Sequence, residues 1–485
     1  MITLNHVCYT YPQSSKENLD DITMEIKDGE AVALIGLSGC GKTTITRILN
    51  GLAYTFFSGK MEGGISINGI DPTKKELYEI GRIMGSIFQN PKSQFFAEIV
   101  EDEIAFGLEN YGIERTKIIK RINDSLRMIS GEALRTRNLF QLSSGERQKV
   151  AIASINALDP PIYVFDEPSA NLDMASVEAL KQLMVLLKKK GKTIIVSEHR
   201  IYYLKDIIDR YYYIENGRII RSYMKEMFEY SSAEFFQRLG LRLCSLDRIE
   251  PHGKILSGTR YLKIDGISFS YNRQALLENL CYCFSSGIIY GIIGGNGAGK
   301  STFAKILSGL LHEKRGNIYL CGEDSCNGIK LNRHTRRKKI YYLSNNLDDN
   351  LFEVSAAEEL RLNDLAADTA EILKDYCLDT VADTHPQILS GGQKQRLAIA
   401  AASLLKRDAY IFDEPTSGLD GKNMRLVADK MRKLQAQDKI VIVISHDYEF
   451  LMEICSIVLH LKRNSFTEYT VATDKEKILN VLQQE

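Results

Sequence analysis

The loop Gly36-Leu37-Ser38-Gly39-Cys40-Gly41-Lys42-Thr43 and the loop Gly294-Gly295-Asn296-Gly297-Ala298-Gly299-Lys300-Ser301 both satisfy the pattern G-x-x-x-x-G-K-[ST]. A short apolar run precedes each, residues 31–35 and 288–293. A helix-like run that opens on Thr44 or Thr302 follows each. The mechanism of such a loop needs this strand–loop–helix setting. Gly36, Gly39 and Gly41 in one copy, and Gly294, Gly297 and Gly299 in the other, let backbone N–H groups curl around a phosphate. The helix N-terminus adds its dipole. Lys42 or Lys300 adds a point charge, and Thr43 or Ser301 offers a hydroxyl to Mg²⁺. Ser38, Thr44, Asn296 and Thr302 complete the two candidate nucleotide-binding stretches.

A chain of 485 residues holds about two to four domains, and the repeat selects two. Lys plus Arg number 62 and Asp plus Glu 62, so no global field draws the chain to nucleic acid or anionic lipid. No apolar run approaches the roughly 18 residues of a membrane span. The N-terminal residues 1–6 lack a secretory pattern. A membrane role therefore requires partner subunits. The nine cysteines (Cys8, Cys40, Cys244, Cys281, Cys283, Cys321, Cys326, Cys377 and Cys455) form no C-x-x-C pair, which is the pattern of reduced thiols. Cys281 and Cys283 read as alternation on a strand, and Cys40 is expected to be a reactive thiol inside a phosphate loop.

The two halves share further landmarks in one order. Residues 7–11 and 267–271 read as alternating strands that end in Tyr11 and Tyr271. Leu142-Ser143-Ser144-Gly145-Glu146 corresponds to Leu389-Ser390-Gly391-Gly392-Gln393, small donor-rich residues opening a helical run. Next come buried-strand runs ending in paired carboxylates, Asp166-Glu167 and Asp413-Glu414. The first carboxylate of each pair can hold the water shell of Mg²⁺ and the second can orient or deprotonate a water. Apolar strands ending at His199 and His446 close each series, at equal spacing from the carboxylates. The second half is shorter in the helical stretch, residues 357–388 against 101–141, which predicts a trimmed helical subdomain.

This series resembles the ATP-binding cassette ATPases over nearly the whole chain. The resemblance implies an α/β fold of two phosphate-loop NTPase cassettes. Each has a mostly parallel core sheet, an antiparallel β subdomain and a helical subdomain, and the two pair head to tail within the chain. It implies ATP and Mg²⁺ as ligands, with Thr43, Gln89, Asp166, Ser301 and Asp413 around the metal. Glu167, His199, Glu414 and His446 become catalytic candidates, and Tyr11 and Tyr271 adenine-stacking ones. In the family pairing, site one joins the first loop, Gln89, Asp166, Glu167 and His199 to Ser390, Gly391, Gly392 and Gln393. Site two joins the second loop, Asn345, Asp413, Glu414 and His446 to Ser143 and Gly145. Site two departs from the family at Ser144, Glu146 and Asn345, so site one is expected to hydrolyse faster.

The segment after Gln89, residues 90–110, looks like that of ATPases of energy-coupling factor importers for vitamins or transition metals. There it forms a groove for helices of a membrane subunit. The resemblance implies coupling and substrate-binding membrane subunits as partners, no nucleic acid, and a peripheral place on the cytoplasmic face of the cell membrane. Phe95 and Phe96 would supply apolar contact, and Glu98, Glu101, Asp102 and Glu103 would pair with arginines. The second half keeps less of this segment, so its groove is expected to differ. Tandem cassettes that act on ribosomes and fused sugar-importer ATPases are the rival readings. The expected boundaries are 1–241 and 261–485, with 242–260 a flexible linker, residues 224–241 a helix of the first cassette, and residues 473–485 a terminal helix. The basic run 333–339 reads as a solvated helix.

Overall fold

The computed structural model describes the chain except residues 13–15, 171, 272–273, 323–327, 365 and 485; Cys326 therefore lies outside the described residues. Two compact units emerge: Met1–Leu172 with Ser176–Ser245, and Leu246–Glu485 with Asp173–Ala175.

The first unit contains β1 (Ile2–Thr10), β2 (Leu19–Ile26), β3 (Ala31–Gly36), β4 (Lys60–Ile67), β5 (Met84–Ile87), β6 (Ile162–Asp166), β7 (Thr193–Ser197), β8 (Arg210–Glu215) and β9 (Arg218–Met224). One sheet has the order β5-β6-β7-β3-β8-β9, parallel except for β9; the other is the antiparallel β2-β1-β4. Every residue of β3 is buried, which is why its sequence is continuously apolar rather than alternating. Its two faces serve two cores. Ala31, Ala33 and Ile35 meet the helical side with Leu108, Val150 and Met184. Val32 and Leu34 meet the side built from the antiparallel sheet and the helix Lys42–Leu49.

The second unit repeats the plan with β10 (Tyr261–Tyr271), β11 (Gln274–Ser285), β12 (Ile289–Ile293), β13 (Arg315–Cys321), β14 (Ile329–Lys330), β15 (Ile340–Leu343), β16 (Ala409–Asp413), β17 (Ile440–Ile444), β18 (Ile457–Leu461) and β19 (Phe466–Thr470). Its sheets are β15-β16-β17-β12-β18-β19 and β11-β10-β13-β14. The helical subdomain is trimmed as expected: helices of 11 and 14 residues in the first unit become 8 and 7 in the second.

Three expectations change. Residues 246–260 are not a free tether. The His252 N–H donates to Met452, that of Leu256 to Gly287, and the Gln435 side chain bonds the Lys254 carbonyl. A Cβ at Gly253 would lie 1.9 Å from the Cys455 carbonyl oxygen, so this backbone is seated against the second unit. Residues 224–241 form two short helices, Lys225–Glu229 and Ala233–Arg238, because Ser232 caps a new start by accepting the Phe235 N–H.

The basic run is the third. It forms the helix Arg333–Lys339, but its arginines turn inward onto the end of the second phosphate-loop helix. Arg336 donates to the Ile306 carbonyl at 2.7 Å and pairs with Glu313 at 2.6 Å, while Arg333 and Arg337 donate to Gly309. These guanidinium groups satisfy carbonyls that a helix end leaves unpaired and meet its negative pole. Arg336 is buried, and breaking a buried pair from one side costs about 3–5 kcal/mol. Arg336→Ala should therefore bring forward the unfolding of the second unit in chemical denaturation by about that amount. The more exposed Arg337→Ala should change it by under about 1 kcal/mol.

Candidate nucleotide sites

In each unit the phosphate loop, the paired carboxylates and the histidine gather at the C-terminal ends of the parallel strands, where loops diverge and leave a crevice. The first loop leaves β3 and enters the helix Lys42–Leu49 with Gly41 in the left-handed region. A Cβ at Gly36 would lie 2.2 Å from the Ile214 carbonyl oxygen, so only glycine lets the loop start beside β8. The Lys42 ammonium is buried and donates to the carbonyls of Gly36 at 3.1 Å and Leu37 at 2.9 Å. Lys300 repeats this with Gly294 and, at 3.1 Å, Gly295. Both loops are thus closed on their own lysine, with Ser38, Gly39, Asn296 and Gly297 at their tips. Cys40 is buried with its sulfur 3.7 Å from the Lys42 nitrogen, which corrects the expectation of a reactive thiol: the loop itself covers it.

Thr43 donates to Asp166 at 3.1 Å, bringing loop hydroxyl and strand-end carboxylate together. Ser301 is the counterpart of Thr43, and its hydroxyl acts to lower the Asp413 carboxyl. A hydroxyl and a carboxylate in contact beside a lysine-bearing phosphate loop form a hard-oxygen donor set suited to Mg²⁺. Burial, and then the charge of Glu167, push the Asp166 carboxyl up to about 6. Burial raises Asp413 as well.

Glu167 and Glu414 both adopt left-handed backbone, φ 46° and 50°. Each is held there by its N–H donating across the sheet, to Ser197 at 2.8 Å and to Ile444 at 2.9 Å. Their side chains differ. Glu167 receives the Gln89 amide at 2.9 Å and stands 3.3 Å from His199 Nε2. Glu414 receives the Ser445 hydroxyl at 3.2 Å and the His446 backbone N–H at 3.1 Å, with His446 Nε2 at 3.9 Å. Asn345 lies exposed at the end of β15.

The signature serines cap their own helices. Ser143 accepts the Glu146 N–H while Glu146 accepts that of Ser143; Ser390 and Gln393 do the same. Glu146 therefore preserves the capping box that Gln393 makes. Burial acts to raise the Glu146 carboxyl, but hydrogen bonds from Ser143 and pairing with Arg137 outweigh it and hold the group below its ordinary value. A Cβ at Gly145 would meet the Ser176 hydroxyl at 2.2 Å, and Gly392 is buried. Gly391 has open space at its Cβ, which is where Ser144 is accommodated in the first unit.

Tyr11 is edge-on to Tyr9 and Phe57, and its hydroxyl accepts from Arg47 at 2.9 Å. Thr44 is 3.5 Å away. The Arg47 guanidinium lies 4.4 Å over Phe57, so Tyr11 is braced. Tyr271 packs only against Phe269 among described rings and stays 52% exposed.

The model of the ABC transporter family matches residues 19–170 and 277–417. The chain belongs to the ABC transporter family. It is 38% identical to a putative ABC transporter ATP-binding protein of Treponema denticola, over 99% of both chains. It is 28% identical to the putative HMP/thiamine import ATP-binding protein YkoD of Bacillus subtilis, over 95% of this chain and 90% of that one. The solved RNase-L Inhibitor shares the fold, with a TM-score of 0.66 and 20% identity over 98% of this chain and 92% of its own. The protein is accordingly an ATPase with ATP and Mg²⁺ as ligands.

Sequence reading missed several residues at this ABC ATPase's sites. Glu198 is buried and accepts the N–H groups of His199 and Arg200 and the Tyr203 hydroxyl. It also accepts the Ser169 N–H, tying the His199 turn to the loop after Glu167. In the second unit Ser445 stands in its place and Asp447 does the tying, by accepting the Thr416 hydroxyl at 2.8 Å. The signal was available as an acid displaced by two positions around each histidine.

Because the folded Asp166 carboxyl titrates above its ordinary 3.8, its contribution to stability is complete below about pH 4 and lost as pH rises through about 6. In nucleotide-free protein, Asp166→Asn should melt higher than the parent at pH 7.5. The difference should close towards pH 4, as read by thermal denaturation across pH.

Proposed function

We propose that this ABC ATPase is the motor of an energy-coupling-factor-type importer and works through membrane subunits. The observation that carries the reading is an exposed apolar patch beside the Gln89 segment. Phe96 and Phe106 stack at 4.8 Å and are 75% and 38% exposed, with Phe140 exposed as well. Single exposed apolar residues are ordinary, but a stacked aromatic pair kept in water suits a docking site. The second unit offers Phe352 and Leu362 at the matching positions, with Val354 and Ile388 also exposed, so its patch is mixed rather than missing. The acids expected to serve the partner are fewer than four. Glu103 is buried and accepts the N–H groups of Phe96 and Ala97, and Glu101 pairs with Arg135. Glu98 and Asp102 remain exposed. The name of the YkoD relative, an import ATP-binding protein, supports the same reading. No helix among the described residues is long and apolar enough to cross a membrane, so the membrane path falls to partners.

In this reading the cassettes are residues 1–241 and 261–485, each with its own phosphate loop. Thr43 and Asp166, with Gln89, would hold Mg²⁺ at site one, and Ser301, Asp413 and Asn345 at site two. The ion when bound neutralises charge on the β- and γ-phosphates. Lys42 and Lys300 exchange loop carbonyls for phosphate oxygens, and Tyr11 or Tyr271 carries the adenine. Glu167, aimed by Gln89 and His199, orients and deprotonates the attacking water.

Site one should be the faster. Glu167 is held by side chains that substrate can recruit, whereas Glu414 is held by Ser445 and a fixed backbone N–H. Removing a general base costs about 10²–10⁴-fold. Glu167→Gln should remove most steady-state ATP turnover and Glu414→Gln less; a larger loss from Glu414→Gln would refute the order. The importer reading is tested by purification in mild detergent from the native host. Two copurifying membrane proteins in fixed stoichiometry are expected, and ribosomal proteins without them would overturn it.

A further inference from the structure

The second metal-binding carboxylate has a neighbour that the first lacks. Tyr342 lies on β15 beside β16, and its hydroxyl donates to Asp413 Oδ2 at 2.9 Å. The ring is half-buried against the core of the second unit, so the phenol is presented from a fixed position. Ser301 lies near the same carboxylate on the loop side. In the first unit the aligned position on β5 is Ser86, whose hydroxyl is buried and has no partner among the described residues. A serine hydroxyl leaves the strand one bond beyond Cβ, whereas a phenol reaches several ångströms further, so only the second unit can bridge from this strand to the carboxylate. The residue paired across the sheet changes too: Asp166 lies opposite Ser197, and Asp413 opposite Ile444. The second unit has thus given up a hydroxyl on one flank of its aspartate and placed one on the other. Asn345, the counterpart of Gln89, is a methylene shorter and exposed.

We propose that Tyr342 is a positioning residue for the divalent cation at the second phosphate loop, fixing one Asp413 oxygen so that the other faces the ion beside Ser301. The proposal rests on the reading that this loop binds a magnesium–nucleotide. Partners that orient a metal-binding carboxylate typically change metal affinity by about 10–100-fold when removed. With Gln89 replaced by the shorter Asn345, the second site leans on Asp413, and so on Tyr342, more than the first leans on Asp166.

The test uses the full chain carrying Lys42→Ala, so that nucleotide is confined to the second loop, and a fluorescent ATP analogue titrated with Mg²⁺. Tyr342→Phe removes only the hydroxyl and should raise the half-saturating Mg²⁺ about tenfold. Analogue binding in chelator and the melting temperature should stay unchanged. Tyr341→Phe, its neighbour on the same strand, should leave the Mg²⁺ requirement where it was. An unchanged requirement in Tyr342→Phe would overturn the proposal, as would a loss of cation-free binding together with a lower melting temperature, which would make Tyr342 a packing residue. Loss of all analogue binding in the Lys42→Ala parent would instead sink the reading of the second loop itself, and the proposal with it.

Discussion

Everything at these sites depends on parallel strand pairing in which β7 separates β3 from β6, and β17 separates β12 from β16. The loop hydroxyl follows one strand and the candidate metal-binding carboxylate ends another that is not its neighbour, and each must reach past the strand between them. That middle strand ends in the histidine turn. It also supplies the carbonyl that holds the glutamate backbone in its left-handed conformation. Phosphate loop, carboxylates and histidine are therefore placed by one set of ladder bonds. A left-handed non-glycine residue costs on the order of 1 kcal/mol or more. Both units retain it at Glu167 and Glu414, where it turns the carboxylate out of the strand.

Much of this was legible in the sequence because it is local. A phosphate loop needs glycines, a lysine and a hydroxyl within eight positions, and a buried parallel strand needs a continuous apolar run. The capping box at Ser143 or Ser390 is likewise contained in four residues. What escaped was decided by partners distant in sequence. Arg336 reads as part of a solvated basic run until the carbonyl of Ile306 and the carboxylate of Glu313 are placed beside it. Glu103 reads as a helix-start acid open to a partner until its carboxylate is found buried under the loop before it. Charge says little about burial when the compensating group lies elsewhere in the chain.

The two units also reach equivalent ends by different residues. Glu198 and Asp447 tie the histidine turn to the loop after the paired carboxylates from positions two residues apart. Tyr342 does for Asp413 what no residue on β5 does for Asp166. Glu146, a departure when read against the family signature, is conservative locally because a carboxylate completes the same cap as an amide. It differs from Gln393 in charge, and Arg137 sits against that charge.

Glu103 has a counterpart in Glu359, which is buried and accepts the N–H groups of Phe352 and Glu353. In both units one carboxylate on a helix clasps two successive amides of the loop that carries the apolar patch. Patch and helix are thereby a single lever rather than a loop hinged on a rod. Phe96 and Phe352 are each tied to the helix start by a charge-assisted bond from their own backbone N–H. The clasped loops follow Gln89 in one unit and Asn345 in the other, so only a few residues of chain join each apolar patch to the candidate site of its unit.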